Sequence, residues 1–399
     1  MSVTVYPKGT TIYKPEKCCN GYTVFPYSIE GKPGVLLIDM NGKIVNKWIL
    51  NKSKISTIPR ARLLENGHII ILGGSMMSKE GQVQEHDWNG KLVWEYSPAL
   101  SGYLDPHHDI FRKENGNTLL ICREKVPQEY RKKAKDPKRR NLLYSDVILE
   151  ITPNKKIAWE WHEYKYLDIK RCNPIPASPT WWAGPDNNTI TDWTHTNTVQ
   201  ALPGNKWYDE GDERFKPGNV LLSLRQLDLV LIVDRDTKKI AWEYTGDYKG
   251  GLSGQHDSHM IEKGIPGEGN IIIFDNGASP YKDLSHAGCS FVLEVNPVTK
   301  KMVWEYEKRE SFHSNFTSST QRLVNGNTLI NETAGNRVFE VTLKGEIVWE
   351  YVYPKGAATR AYRYSYNYCP QAKALGKPKE IPVIPPADMR ISPRKIPIE

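Results

Sequence analysis

Three short polar stretches hold five of the chain's ten histidines: "PHHDI" (106–110), "THTNTV" (194–199) and "GQHDSHM" (254–260). The candidates they supply are His107 or His108, His195, His256 and His259. Imidazole titrates near neutrality and serves both as general acid–base and as nucleophile. A second set of stretches reads "CREK" (122–125), "LRQLD" (224–228), "FDNG" (274–277) and "NETAG" (331–335). It adds Arg123, Arg225 and Asn276. Guanidinium forks bind sulfate, phosphate or carboxylate oxygens in pairs. Histidines and arginines over one pocket suit transfer or hydrolysis of an oxyanion group.

These stretches are ordered by a repeat. One phrase occurs six times: "GKIVNKW" (42–48), "GKLVWEY" (90–96), "KKIAWEW" (155–161), "KKIAWEY" (238–244), "KKMVWEY" (300–306) and "GEIVWEY" (345–351). Each is a turn followed by a strand-like alternation. The recurrent tryptophans are separated by about 45 residues or more, the period of propeller blades. Upstream lies an Asn-Gly-type turn feeding an apolar strand, as in "ENGHIIIL" (65–72) and "ENGNTLLI" (114–121). A further strand, such as "DVILEITP" (146–153), lies between the two phrases.

The repeat predicts an all-β chain, a six-bladed β-propeller of four-stranded antiparallel blades. Its tryptophans pack between neighbouring blades. The histidine stretches then fall on innermost strands, beside "PRARLL" (59–64) and "SSTQRL" (318–323), facing one central channel. A single histidine at such a place is more often structural. Three at matched places in different units point to a shared function. Asp109 and Asp257 directly follow histidines, so they point to the opposite strand face and orient something else.

The expected organisation is an N-terminal extension over 1–20, a catalytic propeller over 21–353, and an extended surface tail over 354–399. Insertions fall near 124–145, 163–192 and 203–216; the Pro- and Trp-rich stretch 172–193 reads as part of a lid. A net charge of +8 is too diffuse to argue for nucleic acid, and the basic run 130–141 reads as a solvated loop. Six cysteines lack zinc-site spacing and are too sparse for a disulfide framework. No leader and no membrane span is visible, so the chain as given reads as cytoplasmic, or periplasmic had a leader been removed. No nucleophile elbow, Walker loop or dinucleotide fingerprint appears. Oligomeric state is open.

The segments "HHD", "HTN", "SLR", "QHD" and "FDNG", in this order and with the "VWEY" repeats, resemble the bacterial arylsulfate sulfotransferases. The resemblance spans about residues 20 to 365. It implies a six-bladed propeller that moves a sulfuryl group from an aryl sulfate donor to a phenolic acceptor. It implies no nucleotide sulfate donor (PAPS); no cofactor and no metal are expected. It further implies a ping-pong route through a sulfated histidine. "QHD" then makes His256 the nucleophile, while His195, Asn197 and Arg225 hold the sulfuryl oxygens. "HHD" supplies His107 or His108, and a last-blade hydroxyl is best matched by Thr320, less well by Ser319. His259 joins the substrate-binding candidates without a matching family position. The chain departs from the family in lacking the leader and N-terminal sandwich domain of many members.

Two other readings compete. The same histidine ring suits a divalent metal in a hydrolase or lyase. A non-enzymatic propeller would use the aromatic insertion around Trp181 and Trp182 as a partner surface. These tryptophans and the tyrosines of "RAYRYSYNY" (360–368) suggest an aromatic or planar ligand. Arg360 and Arg363 in that stretch hold the tail against the propeller or reach an anion, the former being favoured.

Overall fold

Each apolar run such as "TLLIC" or "NIIIF" is buried along its whole length, so both of its faces need cover. A ring of blades supplies that cover. A computed structural model describes residues 8–50, 55–74, 81–134, 143–171, 181–183, 189–246, 248–278 and 288–385. Its six sheets are antiparallel blades in a ring, a six-bladed β-propeller, as the repeat predicts.

From the axis outward, blade 2 runs Thr57–Leu63, Ile69–Gly74, Gln82–His86 and Leu92–Tyr96. Blade 3 runs Pro106–Arg112, Thr118–Lys125, Leu143–Ile151 and Ile157–His162. Blade 4 runs Thr196–Ala201, Val220–Leu224, Leu229–Val233 and Ile240–Tyr244. Blade 5 runs His256–Met260, Ile271–Asp275, Phe291–Asn296 and Lys301–Glu307. Blade 6 runs Ser319–Arg322, Thr328–Glu332, Arg337–Val341 and Ile347–Val352. The turn before the second strand needs a left-handed residue. Gly116 takes φ +83° there, and Asn115 Oδ1 accepts from the Asn117 amide at 3.0 Å.

Blade 1 joins the two ends of the chain. Its outer strands are Tyr22–Ile29, Lys32–Ile38 and Ile44–Ile49, but its innermost strand is Tyr362–Tyr364. That strand pairs Tyr22 with Tyr364 and Val24 with Tyr362. Gly9–Tyr13 adds a fifth, outermost strand to blade 6. Both segments lack the repeat phrase, so the sequence alone placed them outside the propeller. The structure corrects this: they complete sheets whose hydrogen-bonding edges would otherwise stand open.

The six repeat tryptophans form a second ring. Trp48, Trp94, Trp159, Trp242, Trp304 and Trp349 donate their indole N–H to the carbonyls of Asp87, Pro153, Arg235, Pro297, Leu343 and Met40. Each acceptor lies in the next blade, and the last bond returns from blade 6 to blade 1. The six apolar clusters likewise straddle the six blade junctions.

The 163–192 insertion adds Trp181–Ala183 and Thr189–Asp192, the latter parallel to Leu143–Ile151. The lid stretch at 172–180 and 184–188, most of the basic run (135–142) and the end of the tail (386–399) lie outside the described residues. Among the described residues, no helix is long and apolar enough to cross a membrane.

Candidate active site

The innermost strands are not regular where they carry histidine. Pairing slips between Leu120 and Cys122, between Thr196 and Thr198, and between His256 and His259. His108, His195 and Asp257 take φ values of +59°, +51° and +50°, unusual for residues with a Cβ. Such bulges re-aim side chains. Here they turn three imidazoles from three blades toward one another.

The ring centroid of His108 lies 4.7 Å from that of His195 and 6.2 Å from that of His256. His107 lies 5.0 Å from His108. His107, His195 and His256 are each under 9% exposed. Arg225 is buried on the turn that follows Val220–Leu224, and its amide meets the His195 carbonyl at 3.3 Å. Its charge acts on both His195 and His256.

Hydrogen bonds set which nitrogen of each ring is free. Asn276 donates Nδ2–H to the carbonyls of Ser314 and Thr317, at 2.7 and 3.1 Å. Its Oδ1 is therefore the acceptor facing His256 Nδ1 at 2.7 Å. The Gly254 carbonyl, at 3.1 Å, asks for the same Nδ1–H. Neutral His256 then carries its lone pair on Nε2.

A chain of the same logic runs through blade 3. Asp146 Oδ2 accepts from the Thr196 amide at 2.6 Å and from the Thr194 hydroxyl at 3.2 Å. Its Oδ1 lies 2.9 Å from His107 Nε2. His107 Nδ1 lies 2.7 Å from His108 Nδ1. With Nε2–H donated to Asp146, neutral His107 accepts at Nδ1, so His108 donates there and keeps its lone pair on Nε2. Behind Asp146, Glu163 accepts from the Asp146 amide at 3.1 Å and from the Thr196 hydroxyl. Burial, and then the Asp146 charge, push the Glu163 carboxyl well above the usual range. His195 Nδ1 pairs with Asp192 Oδ2 at 2.5 Å, and Asp192 comes from the 163–192 insertion.

Burial drives the pKa values of His108 and His256 well below the ordinary imidazole value. The other imidazoles reinforce this at His108, and Arg225 and Arg360 reinforce it at His256. Burial also lowers His195, against the pull of Asp192. Burial lowers Arg225 as well. His108, His195 and His256 are thus all biased toward the neutral form beside a guanidinium.

The remaining candidates have other partners. Arg123 sits between Asp105 at 3.4 Å and Asp192 at 3.9 Å. Asn197 donates Nδ2–H to the Gln255 carbonyl at 2.7 Å, gripping the strand of His256. Thr320 is buried and gives its amide to Asp257 at 2.9 Å. Ser319 bonds the tail at Ala361. His259 Nδ1 meets the Asp257 carbonyl at 3.2 Å and has no ring contact with the histidine cluster. The tyrosines of 360–368 are structural: Tyr366 packs edge-on against Tyr22 at 5.0 Å, and Tyr364 lies 4.7 Å from Tyr368. Among the described residues, no group of three or more His, Cys, Asp or Glu is arranged to hold a metal ion.

Sequence reasoning missed Asp146, Glu163, Asp192 and the role of Arg360. Of these, only Asp192 carried a local signal, three residues before His195.

The chain is similar to solved structures at low sequence identity. A protein of unknown function from Bacteroides caccae superposes with TM-score 0.51 at 12% identity, covering 86% of this chain and 98% of that one. Selenomethionine-substituted virginiamycin B lyase from Staphylococcus aureus gives TM-score 0.43 at 12% identity, over 90% of this chain and 89% of that one. No curated protein matches the chain. The profile of the arylsulfotransferase (ASST) family matches residues 60–354, which span every histidine, arginine and asparagine of the cluster. By that match over most of its length, and with the fold to accompany it, the chain belongs to the arylsulfotransferase family.

Proposed function

We propose that this arylsulfotransferase moves a sulfuryl group from an aryl sulfate to a phenol in two half-reactions, with His256 as the intermediate carrier. One observation carries the reading. His256 Nδ1 is committed to Asn276, leaving an unprotonated Nε2 in a buried site with Arg225 alongside. A neutral imidazole held in one tautomer is a ready nucleophile.

In the first half-reaction Nε2 of His256 attacks sulfur. An N–S bond forms as the S–O bond to the aryl group breaks, and the electron pair leaves on the phenolate. Arg225 donates to the sulfuryl oxygens, and His195 joins it as the imidazolium that Asp192 supports once the anionic ester is bound. Phenolate departure needs a proton. His108 is the better placed of the two neighbouring histidines, because His107 has both nitrogens engaged. An entering sulfate ester brings a negative charge that offsets Arg225 and raises the proton affinity of His108. Proton uptake from solvent at its Nε2 gives an imidazolium supported through His107 by Asp146. It gives its Nε2 proton to the phenolate. In the second half-reaction His108 Nε2 takes the proton of an incoming phenol, whose oxygen attacks sulfur and releases His256.

Intact-mass spectrometry after mixing with a chromogenic aryl sulfate, without acceptor, tests this. The expected result is one added SO3 on the wild type and none on His256→Ala. Undiminished phenolate release by His256→Ala overturns it.

A further inference from the structure

The carboxylates that follow the histidines in sequence meet two arginines under the site. Asp257 Oδ1 receives Arg360, Arg60 Nη1 at 2.9 Å and the Tyr362 hydroxyl at 2.9 Å. Its Oδ2 receives the Thr320 amide at 2.9 Å. Arg60 Nε lies 2.9 Å from Asp109 Oδ1, and Asp109 Oδ2 accepts from the Val199 amide at 3.1 Å. Arg62 Nη2 lies 4.0 Å from the same Asp109 oxygen, and Asp109, Asp257, Arg60 and Arg360 are all under 4% exposed. Arg360 and Tyr362 come from the C-terminal segment, beyond the residues matched by the family profile.

Arg360 reaches both neighbours of His256. It pairs with Asp257 directly. It also donates Nη2–H to the Asn197 carbonyl at 2.6 Å, and the Asn197 side chain holds the Gln255 carbonyl at 2.7 Å. Between those grips, Asp257 is kept at φ +50°, the bulge that turns His256 toward His108 and His195. With Arg360 gone, Asp257 keeps Arg60 but loses the one cation that also grips Asn197, and the bulge loses that brace.

We propose that Arg360 is a positioning residue for the transfer reaction, so that the C-terminal segment completes the active site as well as blade 1. The proposal deepens the reading of His256 as sulfuryl carrier and rests on it. The groups facing His256 are His108, His195, Arg225, Arg360, the neutral amide of Asn276, and Asp257 on its own strand. Removing Arg360 withdraws a cation that opposes protonation of His256. The acidic limb of activity then moves to higher pH.

The test uses the full chain carrying Arg360→Gln, Arg360→Lys or, as a control in the exposed tail, Lys373→Ala. Turnover of a chromogenic aryl sulfate with a phenol acceptor is followed against pH, with thermal melting to certify folding. The expected result for Arg360→Gln is a fall in kcat of about 10- to 100-fold. KM should change much less, and the acidic limb should shift upward. Arg360→Lys keeps the charge but cannot span Asp257 and the Asn197 carbonyl with a planar fork, so it should regain the wild-type limb with only part of kcat. Should Arg360→Gln fail to fold, Arg360→Lys is judged by its kcat. Wild-type kcat and pH limb in a folded Arg360 variant overturn the proposal. A wild-type protein that turns over without a sulfated His256 overturns the carrier reading instead, and loss of turnover at Arg360 still registers separately.

Discussion

Asn276 Oδ1 lies 2.7 Å from His256 Nδ1, and two backbone carbonyls hold the Asn276 amide so that oxygen is what the imidazole meets. Replacing this oxygen releases the tautomer without touching the nucleophile. Asn276→Ala should lower the rate of the first phenolate burst by about 10- to 100-fold, as loss of an orienting partner does. Stopped-flow absorbance with a chromogenic aryl sulfate measures it. A burst at the wild-type rate would show that His256 needs no such pin.

The blade 3 carboxyls should respond in opposite ways. Asp146→Asn leaves His107 facing an amide whose N–H competes for the same position, which unsettles the tautomers of both His107 and His108. A fall in kcat of about 10- to 100-fold is expected. Burial pushes the Glu163 carboxyl well above its usual range, so Glu163→Gln, neutral like the acid form, should be a mild change. The Thr196 hydroxyl turns to accept from the new amide. That variant should keep its melting temperature and kcat close to the wild type, and steady-state kinetics of the pair decides the point.

Arg225→Lys keeps a positive charge but not the fork. If paired N–H groups hold sulfuryl oxygens in the transition state, kcat/KM for aryl sulfate should fall by about 100- to 1,000-fold, the usual cost of one such donor. Restoration of full kcat/KM by lysine would reduce Arg225 to a point charge.

The buried histidines should each weaken the fold on mild acidification. His108, His195, His256 and His259 have folded-state pKa values below the ordinary value, so the unfolded chain binds protons that the folded chain refuses. Their contribution is present above the unfolded pKa of about 6.5 and is lost as pH drops below it. His162 works the other way, raised by Glu124 and Glu160 against its burial, and its contribution is lost as pH rises through its folded pKa. Glu163 and Glu124, both raised by burial, also work the other way. The test is therefore differential: between pH 7 and pH 5 urea midpoints should lose more in the wild type than in His256→Asn.

Trp349 closes the ring. Its indole N–H meets the Met40 carbonyl at 2.8 Å, and its ring is fully buried between blades 6 and 1. Trp349→Phe removes that bond and leaves a partial cavity, which should cost about 2–4 kcal/mol in chemical denaturation. A loss no larger than that of an exposed-site substitution would mean that the tail strand alone closes the propeller.

The propeller was legible because its signals are local and repeated. A turn, an alternation and a tryptophan recur six times, and copies at matched places identify His195 and His256 as channel-facing without any tertiary information. Partner residues carry no such signal. Asp146 is 39 residues from His107, and Asp257 is 103 residues from Arg360. Neither separation follows from a period. The choice between His107 and His108 was likewise invisible in "PHHDI", since it depends on which ring reaches Asp146.

The amino-acid order by itself determined the number of blades, the strands that line the axis and the residue types available there, because alternation and turn chemistry act over a few neighbouring residues. Only the folded chain decided which nitrogen each imidazole leaves free, and that its last strand would be the first blade's innermost. Those depend on hydrogen bonds and ion pairs between segments far apart in sequence, which exist only once the ring has closed.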